Sequence, residues 1–279
     1  MQNVLNALRV LETVAARQPV GVAAIAQETG IPKSTAQRAL RTLQTAGWIR
    51  PAGGELTRWV VTTKALQVGR RATGELGLRD VAVPVMEKLR ARTDETVHLA
   101  VPEGGKVVLV ERLETSQPVR IVLPLGTDLP LHASANGKAV LAAGGPEPVE
   151  ELLANGLPRH TDTTNTEPDR LRAELAAIRE RGYATNSGEW RADVSAVAAP
   201  VVLGSGRVVA SISVNVPTSR MTEENRATFG ALVRTAARDI ARGLDGATRG
   251  DDGPRRSAAA TRIPHARHLD APESRFHAR

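Results

Sequence analysis

Residues 21–47 read GVAAIAQETGIPKSTAQRALRTLQTAG, and the spacing of apolar residues and helix breakers in this stretch decides the local fold. The apolar spacing predicts one helix over 22–29, and Gly30 is suited to the left-handed position that ends a helix. Pro32 is suited to the first turn of a second helix, predicted over 32–46, because its missing N–H is no loss there. Two short helices joined by a tight turn are typical of a helix-turn-helix.

The second of these helices has one apolar face and one polar face, because successive residues turn by ~100° about a helix axis. Its apolar face carries Ala36, Ala39, Leu40 and Leu43, and its polar face carries Ser34, Gln37, Arg38, Arg41 and Thr45. The polar face has hydroxyl, amide and guanidinium groups but no acid, and such groups pair with the phosphates and base edges of DNA. It therefore indicates a recognition helix. The alternative is a generic three-helix bundle with a basic face.

The segments on either side complete a winged helix-turn-helix. Upstream, apolar residues at helix spacing predict a helix over 3–16. Downstream, the β-prone runs 48–50 and 56–61 flank a Gly-Gly turn and predict a hairpin, called the wing below. Arg50 and Arg58 are expected on this wing, near the DNA backbone.

The rest of the chain alternates between strand-like and helix-like patterns, which predicts an α+β domain. Strands are predicted over 96–101, 106–112, 119–124, 194–202 and 207–216, and helices over 78–92, 133–142, 148–154, 169–181 and 222–244. The predicted units are a winged helix-turn-helix domain at 1–74, a linker helix at 75–92 interrupted at Pro84, an α+β domain at 93–245 and a disordered basic tail at 246–279.

Positive charge is concentrated at the start of the chain. Residues 1–74 hold ten basic and three acidic side chains, a net charge of +7, whereas residues 75–245 sum to −3 and residues 246–279 to +3. A basic head on a near-neutral body indicates a polyanionic partner for the head alone. The alternative is a solvated charged surface.

The composition excludes several classes of function. Aromatic residues are only 2%, which argues against stacking platforms for single-stranded nucleic acid. The absence of cysteine excludes disulfides, thiolate metal sites and a cysteine nucleophile. No stretch approaches the ~18 apolar residues of a membrane span, and the first residues lack an apolar signal core, so we expect no membrane partner and a cytoplasmic location.

Catalytic signatures are also missing from the sequence. It has no Gly-x-Ser-x-Gly motif and no P-loop, and Ser134 and Lys138 stand four residues apart rather than three. The histidines of the predicted domains are scattered, and His132 is interpreted as structural. Lys138 suits either an anion contact or a structural role at a helix start. We therefore expect no enzymatic activity, no cofactor and no metal.

Several segments in order resemble the IclR family of transcriptional regulators. They are GVAAIA (21–26), PKSTAQR (32–38), TDETVHL (93–99), GTDLPLHASANGKA (126–139), RGYA (181–184), Glu189 and AAPV (198–201). The resemblance covers about residues 2–245 and implies a C-terminal effector-binding domain related to the GAF fold. It also implies a homodimer, often paired into a tetramer on operator DNA, and a small effector, typically a carboxylate or aromatic metabolite. A vestigial pocket in a constitutive dimer is the alternative.

The resemblance and the recognition-helix pattern together give two sets of candidate site residues. The DNA-binding set is Lys33, Ser34, Thr35, Gln37, Arg38, Arg41 and Arg58. The effector-binding set implied by the family is Ala135, Asn136, Gly137, Asn186, Ala196, Ser213 and Asn215. The chain departs from frequent family residues at Asn186, Asp193 and Ala196, and a bound carboxylate requires that the Asp193 side chain point away from it.

Overall fold

The N-terminal head is a winged helix-turn-helix, as the sequence predicts. The computed structural model describes residues 1–54, 56–74 and 77–250. The elements of the head are α1 (Gln2–Arg17), α2 (Val22–Thr29), α3 (Lys33–Thr45), β1 (Ile49–Pro51) and β2 (Trp59–Val61). Gly30 ends α2 in the left-handed conformation, with φ 70°. The three helices enclose a small apolar core built from Val10, Val14, Ile25, Leu40 and Ile49.

The wing is held against the helices by backbone pairing as well as by packing. Strands β1 and β2 pair in antiparallel fashion. Trp59 also exchanges two backbone hydrogen bonds with Val20, which lies between α1 and α2: the Trp59 N–H donates at 2.8 Å and the Val20 N–H at 3.1 Å. The Trp59 side chain is buried in the head core. The wing is therefore fixed relative to the recognition helix.

Two helices connect the head to the rest of the chain, where one interrupted linker helix over 75–92 was predicted. They are α4 (Thr63–Gly74) and α5 (Leu78–Thr93). Helix α5 continues through Pro84, so the predicted interruption is wrong. Proline removes one helix hydrogen bond, but buried side chains on both sides of it, Ala82 and Met86, pack into the same core and hold the helix together.

The C-terminal domain, residues 94–250, is a six-stranded antiparallel sheet with helices on both faces, which confirms the α+β prediction. The strand order is β5-β4-β3-β8-β7-β6. Its strands are β3 (Thr96–Glu103), β4 (Lys106–Leu113), β5 (Asp128–Leu129), β6 (Ala184–Ser187), β7 (Val194–Val202) and β8 (Val208–Pro217). Its helices are α6 (Ala135–Ala143), α7 (Glu147–Ala154), α8 (Pro168–Arg181) and α9 (Glu223–Gly250), with a 3-10 turn at Thr218–Arg220.

The two faces of the central strands β3 and β8 differ in chemistry. Alternate residues of a strand point to opposite faces. One face is apolar and packs against α5 and α9 through Val97, Leu99, Ile212, Val214 and Val216. The other face lies under α6 and is polar, with Thr96, His98, Ser211, Ser213 and Asn215 all buried. Buried polar side chains are expensive unless they serve hydrogen bonding, so the second face marks a candidate site.

The predicted strand over 119–124 is wrong. That segment is irregular, and the edge of β4 pairs instead with the two-residue β5. Ile121 and Leu123 are nevertheless buried in the core, whereas Val122 is exposed. Arginine side chains replace a partner strand here, since Arg112 donates to the Leu123 carbonyl and Arg220 donates to that of Val119, the latter at 2.9 Å.

The end of the last helix also differs from the prediction. Helix α9 extends to Gly250, so residues 246–250 are helical and do not belong to the predicted tail. A single glycine inside a helix lowers its stability by only ~1 kcal/mol relative to alanine, and Gly246 is tolerated here. The remainder of the predicted tail lies outside the described residues. Strand β6 was not predicted.

Candidate DNA-binding surface and ligand cavity

Helix α3 presents its polar face to solvent. Ser34, Gln37, Arg38 and Arg41 are exposed, and Thr35 is half-buried. Opposite them, Ala36, Leu40 and Leu43 are buried in the head core. Lys33 is exposed at the amino end of the helix, where no side chain caps the backbone. Arg58 is exposed on the wing.

Within the described residues the cations of this surface are free, whereas Arg17 and Lys64 elsewhere in the head are engaged. Arg17 forms an ion pair with Glu28 at 2.7 Å, and the Lys64 ammonium donates to the Ala46 carbonyl at 2.6 Å. Lys33, Arg38, Arg41 and Arg58 form no ion pair or hydrogen bond through their side chains within the described part of the chain. An exposed group of unpaired cations without acids is suited to the phosphates of DNA.

A cavity lies between the polar face of the sheet, the start of α6 and the loop that joins β6 to β7. Its lining residues are His98, Leu123, Leu129, Ser134, Ala135, Asn136, Asn186, Trp190, Arg191, Val194, Ala196 and Asn215. The cavity volume is about 20 Å³, which is room for about one water molecule. A metabolite therefore needs the cavity to widen.

Five of the seven candidate effector residues line this cavity: Ala135, Asn136, Asn186, Ala196 and Asn215. Ser213 lies on the same face of β8, where it accepts a hydrogen bond from the Asn215 amide at 2.9 Å. Gly137 packs against the backbone of Leu131 and is not part of the lining. The exposed Asp193 side chain lies 3.7 Å from Arg191 and is not part of the lining.

Seven lining residues were not predicted from the sequence, and His98, Trp190 and Arg191 are among them. His98 is 1% exposed, and its Nε2 has no hydrogen-bond partner among the described residues. Burial, together with the nearby Arg112 charge, lowers the pKa of His98 to about 3, so the ring is neutral at physiological pH. The alternation of residues in β3 is the sequence signal that could have placed His98 on one face of the sheet. To identify His98 as a lining residue, the β3–β8 register is also needed, and it places His98 opposite Ser213.

The start of α6 offers free backbone donors to the cavity. The Ser134 hydroxyl accepts from the Gly137 N–H at 2.9 Å and donates to the Pro130 carbonyl at 2.7 Å. The backbone N–H groups of Ala135 and Asn136 make no hydrogen bond within the described residues. Such donors at a helix start favour an anion.

Lys138 has a structural role. It is fully buried, and its ammonium donates to Glu174 at 2.6 Å and to both carboxylate oxygens of Glu189 at 2.8 and 2.7 Å. All three of its protons are therefore used. Burial is the main reason why the pKa of Glu189 is raised. Glu189 also donates its N–H to the Asn186 side chain at 3.0 Å, so the cluster holds the β6–β7 loop over the cavity.

Other kinds of site are not found in the part of the chain that the structure describes. There, no group of three histidine, cysteine or acidic side chains is placed to hold a metal ion. No described helix is long and apolar enough to cross a membrane. An exposed basic recognition helix, a wing and a separate α+β domain with a polar cavity together define a DNA-binding transcriptional regulator.

Comparisons with known proteins identify the family. The family models for the IclR helix-turn-helix domain and the bacterial transcriptional regulator IclR C-terminal domain match residues 4–53 and 70–242. The chain belongs to the IclR family of transcriptional regulators. It is 32% identical to the Escherichia coli transcriptional repressor IclR over 86% of this chain and 89% of that repressor. It is 35% identical to the Escherichia coli repressor AllR, over 80% and 82% of the two chains.

A solved structure extends the likeness to the whole fold. An IclR homologue from Microbacterium hydrocarbonoxydans, complexed with 4-hydroxybenzoate, superposes with a TM-score of 0.77 and 30% identity. The match covers 88% of this chain and 99% of that one. These relatives are named as transcriptional regulators rather than enzymes, in agreement with the expectation from the sequence.

Proposed function

We propose that this protein is a transcriptional repressor whose operator affinity is set by a small carboxylate in the cavity under α6. The observation that carries the proposal is a buried polar sheet face that meets free backbone N–H groups at the start of α6. The head supplies the DNA contact, and its place of action is the bacterial cytoplasm, where operator DNA lies.

In the head, we assign base contacts to the middle of α3 and phosphate contacts to its periphery. Ser34, Gln37 and Arg38 lie on the exposed face that enters the major groove in helix-turn-helix proteins. Lys33, Thr35, Arg41 and the wing residue Arg58 bind the backbone phosphates. One head buries too little surface for tight specific binding, so a homodimer reads two half-sites, and pairing of dimers gives a tetramer on DNA.

The first prediction separates specificity from phosphate binding. Arg38→Ala is expected to weaken operator binding by ~5–150-fold and to relax base preference, because one base contact is worth ~1–3 kcal/mol. Arg58→Ala is expected to weaken binding to all sequences about equally and to reduce the salt slope by about one. Binding titrations on operator and random DNA measure both effects, and footprinting is expected to show half-sites about one helical turn, or a multiple of it, apart.

Arg17→Ala is the matched control, because it removes an arginine of the same head that is already paired with Glu28. It is expected to leave operator affinity nearly unchanged. If Arg38→Ala retains both affinity and base preference, α3 is not the recognition helix.

For the cavity, carboxylate recognition is supported by two groups. One is the pair of free N–H groups at the start of α6, and the other is Arg191 at the rim. A related regulator binds 4-hydroxybenzoate, which is both a carboxylate and an aromatic. In this chain Trp190 lines the same cavity and supplies an aromatic surface. A vestigial cavity is disfavoured, since His98 lines the cavity and its buried Nε2 has no hydrogen-bond partner among the described residues.

The second prediction tests the effector response. The double substitution Ser213→Val, Asn215→Val removes a hydrogen-bonded pair together, so neither partner is left unsatisfied and the fold is expected to persist. The variant is expected to bind operator like the wild type but to lose the response to carboxylates. Operator titrations with and without a panel that starts with 4-hydroxybenzoate measure this. A variant that responds fully would place the effector elsewhere.

A further inference from the structure

A second and larger cavity lies on the other side of the sheet, as a groove between α9 and the end of β7. Its volume is about 470 Å³, which falls within the ~300–1,000 Å³ of typical ligand sites. Its lining includes Ala199, Pro200 and Val202 of β7 and Arg234, Arg238 and Arg242 of α9. This groove, called the α9 groove below, shares no lining residue with the cavity under α6.

Strand β7 extends beyond its partner β6 and leaves an open edge in the α9 groove. Strand β6 pairs only with residues 195–198, whereas β7 pairs with β8 as far as Val202. The Val194 carbonyl accepts from the Gly188 N–H at 3.0 Å, so the even-numbered residues of β7 direct their backbone groups towards β6. The Pro200 carbonyl and both backbone groups of Val202 are therefore left without a strand partner. Such an edge can take a further extended strand.

One wall of the α9 groove is a row of arginines. Arg238 is exposed and forms no ion pair or hydrogen bond through its side chain within the described residues. Arg234 has no acidic partner there either, and its guanidinium donates to the Arg181 carbonyl at 3.0 Å. Arg242 forms an exposed pair with Asp239, and such pairs contribute little and are readily exchanged. The row is therefore suited to carboxylates from outside the chain.

The spacing of these arginines matches that of an extended chain. Residues four apart on a helix lie ~6 Å apart along its axis, and alternate residues of a strand lie ~6.6 Å apart and point to the same face. An extended segment with an acid at every second position can therefore place one carboxylate near each arginine while its backbone pairs with β7. Asp245 also lines the groove, but its carboxylate accepts from the Gly204 N–H at 2.9 Å, beside the turn that follows β7.

We infer that the α9 groove binds an extended segment of a partner protein in which acidic residues alternate with uncharged ones. The segment adds as a strand to the open edge of β7, and its carboxylates pair with Arg234, Arg238 and Arg242. The edge selects an extended backbone, and the arginines select the spacing of its acids. The surface is separate from both the recognition helix and the cavity under α6, so the regulator can hold this partner while the head is on DNA.

The test compares two labelled heptapeptides of identical composition, titrated into the full-length protein and followed by fluorescence anisotropy. Glu-Thr-Glu-Thr-Glu-Thr-Thr carries its acids on one face, whereas Glu-Thr-Thr-Glu-Thr-Thr-Glu places neighbouring acids on opposite faces. The wild type is expected to bind the first about tenfold more tightly than the second. Arg238→Glu is expected to weaken binding of the first peptide by about tenfold or more, because it replaces attraction by repulsion.

Matched variants separate the arginine row and the strand edge from general effects. Arg170→Glu makes the same charge change at an exposed arginine of α8 that has no side-chain partner within the described residues and lies outside the groove lining. It is expected to leave peptide binding unchanged. Val202→Pro removes the N–H at the open edge and is expected to weaken binding, whereas Val202→Thr keeps that N–H and is expected to bind like the wild type. If Val202→Pro does not fold, the two arginine variants decide the question alone.

Every other outcome overturns the inference. These outcomes are equal affinity for the two peptides, unchanged affinity in Arg238→Glu, and no binding of either peptide. Displacement of the peptide by an equal concentration of inorganic phosphate would assign the groove to a small anion instead. A change in the sedimentation of the free protein on Arg238→Glu would assign it to a second copy of this chain. Operator binding and the effector response are measured on other variants, so the proposed function is tested separately.

Discussion

Replacing Lys138 with methionine is expected to lower the free energy of unfolding by about 3–5 kcal/mol, because removing one partner of a buried ion pair leaves uncompensated buried charge. Lys138 is fully buried between Glu174 and Glu189, at 2.6 and 2.7 Å. Methionine fills much of the same volume, so the loss of stability is caused by the missing charge rather than by a cavity. Denaturant unfolding monitored by circular dichroism measures it.

The loss is also expected to depend on pH. The pKa of Glu189 is already raised by burial while Lys138 is present, and removing the cation raises it further. A carboxyl group whose pKa is higher in the folded than in the unfolded protein makes the fold progressively less stable as pH rises from the unfolded pKa to the folded pKa. The variant should therefore recover part of its stability as pH falls from 8 towards the ordinary pKa of a glutamate.

Lys106→Met is the matched control. Lys106 pairs with Asp128 at 2.9 Å, but both side chains are half-exposed. Exposed pairs contribute ~1 kcal/mol or less, so this change is expected to have little effect at any pH. Equal stability of Lys138→Met and the wild type would mean that the buried cluster does not hold the β6–β7 loop.

Gly137→Ala is expected to destabilise the C-terminal domain by about 3 kcal/mol through overpacking. A Cβ atom at Gly137 would lie 2.5 Å from Leu131 Cα and 2.6 Å from the Leu131 carbonyl oxygen, and it would also clash with the Pro130 carbonyl. These are backbone atoms, so no side chain can rotate away. Helix α6 must shift, and its free N–H groups at the cavity move with it.

Thermal unfolding and effector titration of Gly137→Ala are expected to show a lower melting temperature and a weaker effector response. Gly246→Ala is the control in the same domain, since no described atom other than the backbone of its own helix and its chain neighbours lies within 4 Å of its Cβ position. Alanine is favoured over glycine inside a helix by ~1 kcal/mol, so this control should be neutral or slightly stabilising. A Gly137→Ala protein with unchanged melting temperature would show that α6 is free to move off the Pro130–Leu131 segment.

The sequence was sufficient where local rules decide the structure. The faces of α3 follow from helix periodicity alone, and Gly30 ends α2 as its conformational freedom predicts. Five of the seven effector residues inferred from the family resemblance line the cavity in the structure. Whether these residues and the DNA-binding set function as assigned stays a prediction.

The predictions that failed have a common physical cause. They concern residues whose positions depend on partners distant in the sequence. His98 became a candidate only when the β3–β8 register placed it beside Ser213. Arg191 lies on a loop whose position depends on the buried Lys138–Glu189 pair. The irregular segment 119–124 is satisfied by arginine side chains remote in sequence, one of them on residue 220. The periodicity of apolar residues indicates which residues are buried, but it does not indicate which distant residues they contact.

The division of β3 and β8 into an apolar face and a polar face has a consequence for how such regulators diversify. The residues that line the cavity alternate with the residues that hold α5 and α9, and among the described residues no position belongs to both groups. Substitutions on the cavity face therefore leave the scaffold that carries the head intact. Related regulators with this sheet can therefore come to recognise new effectors through substitutions on the cavity face. The packing of the opposite face against the helices is kept.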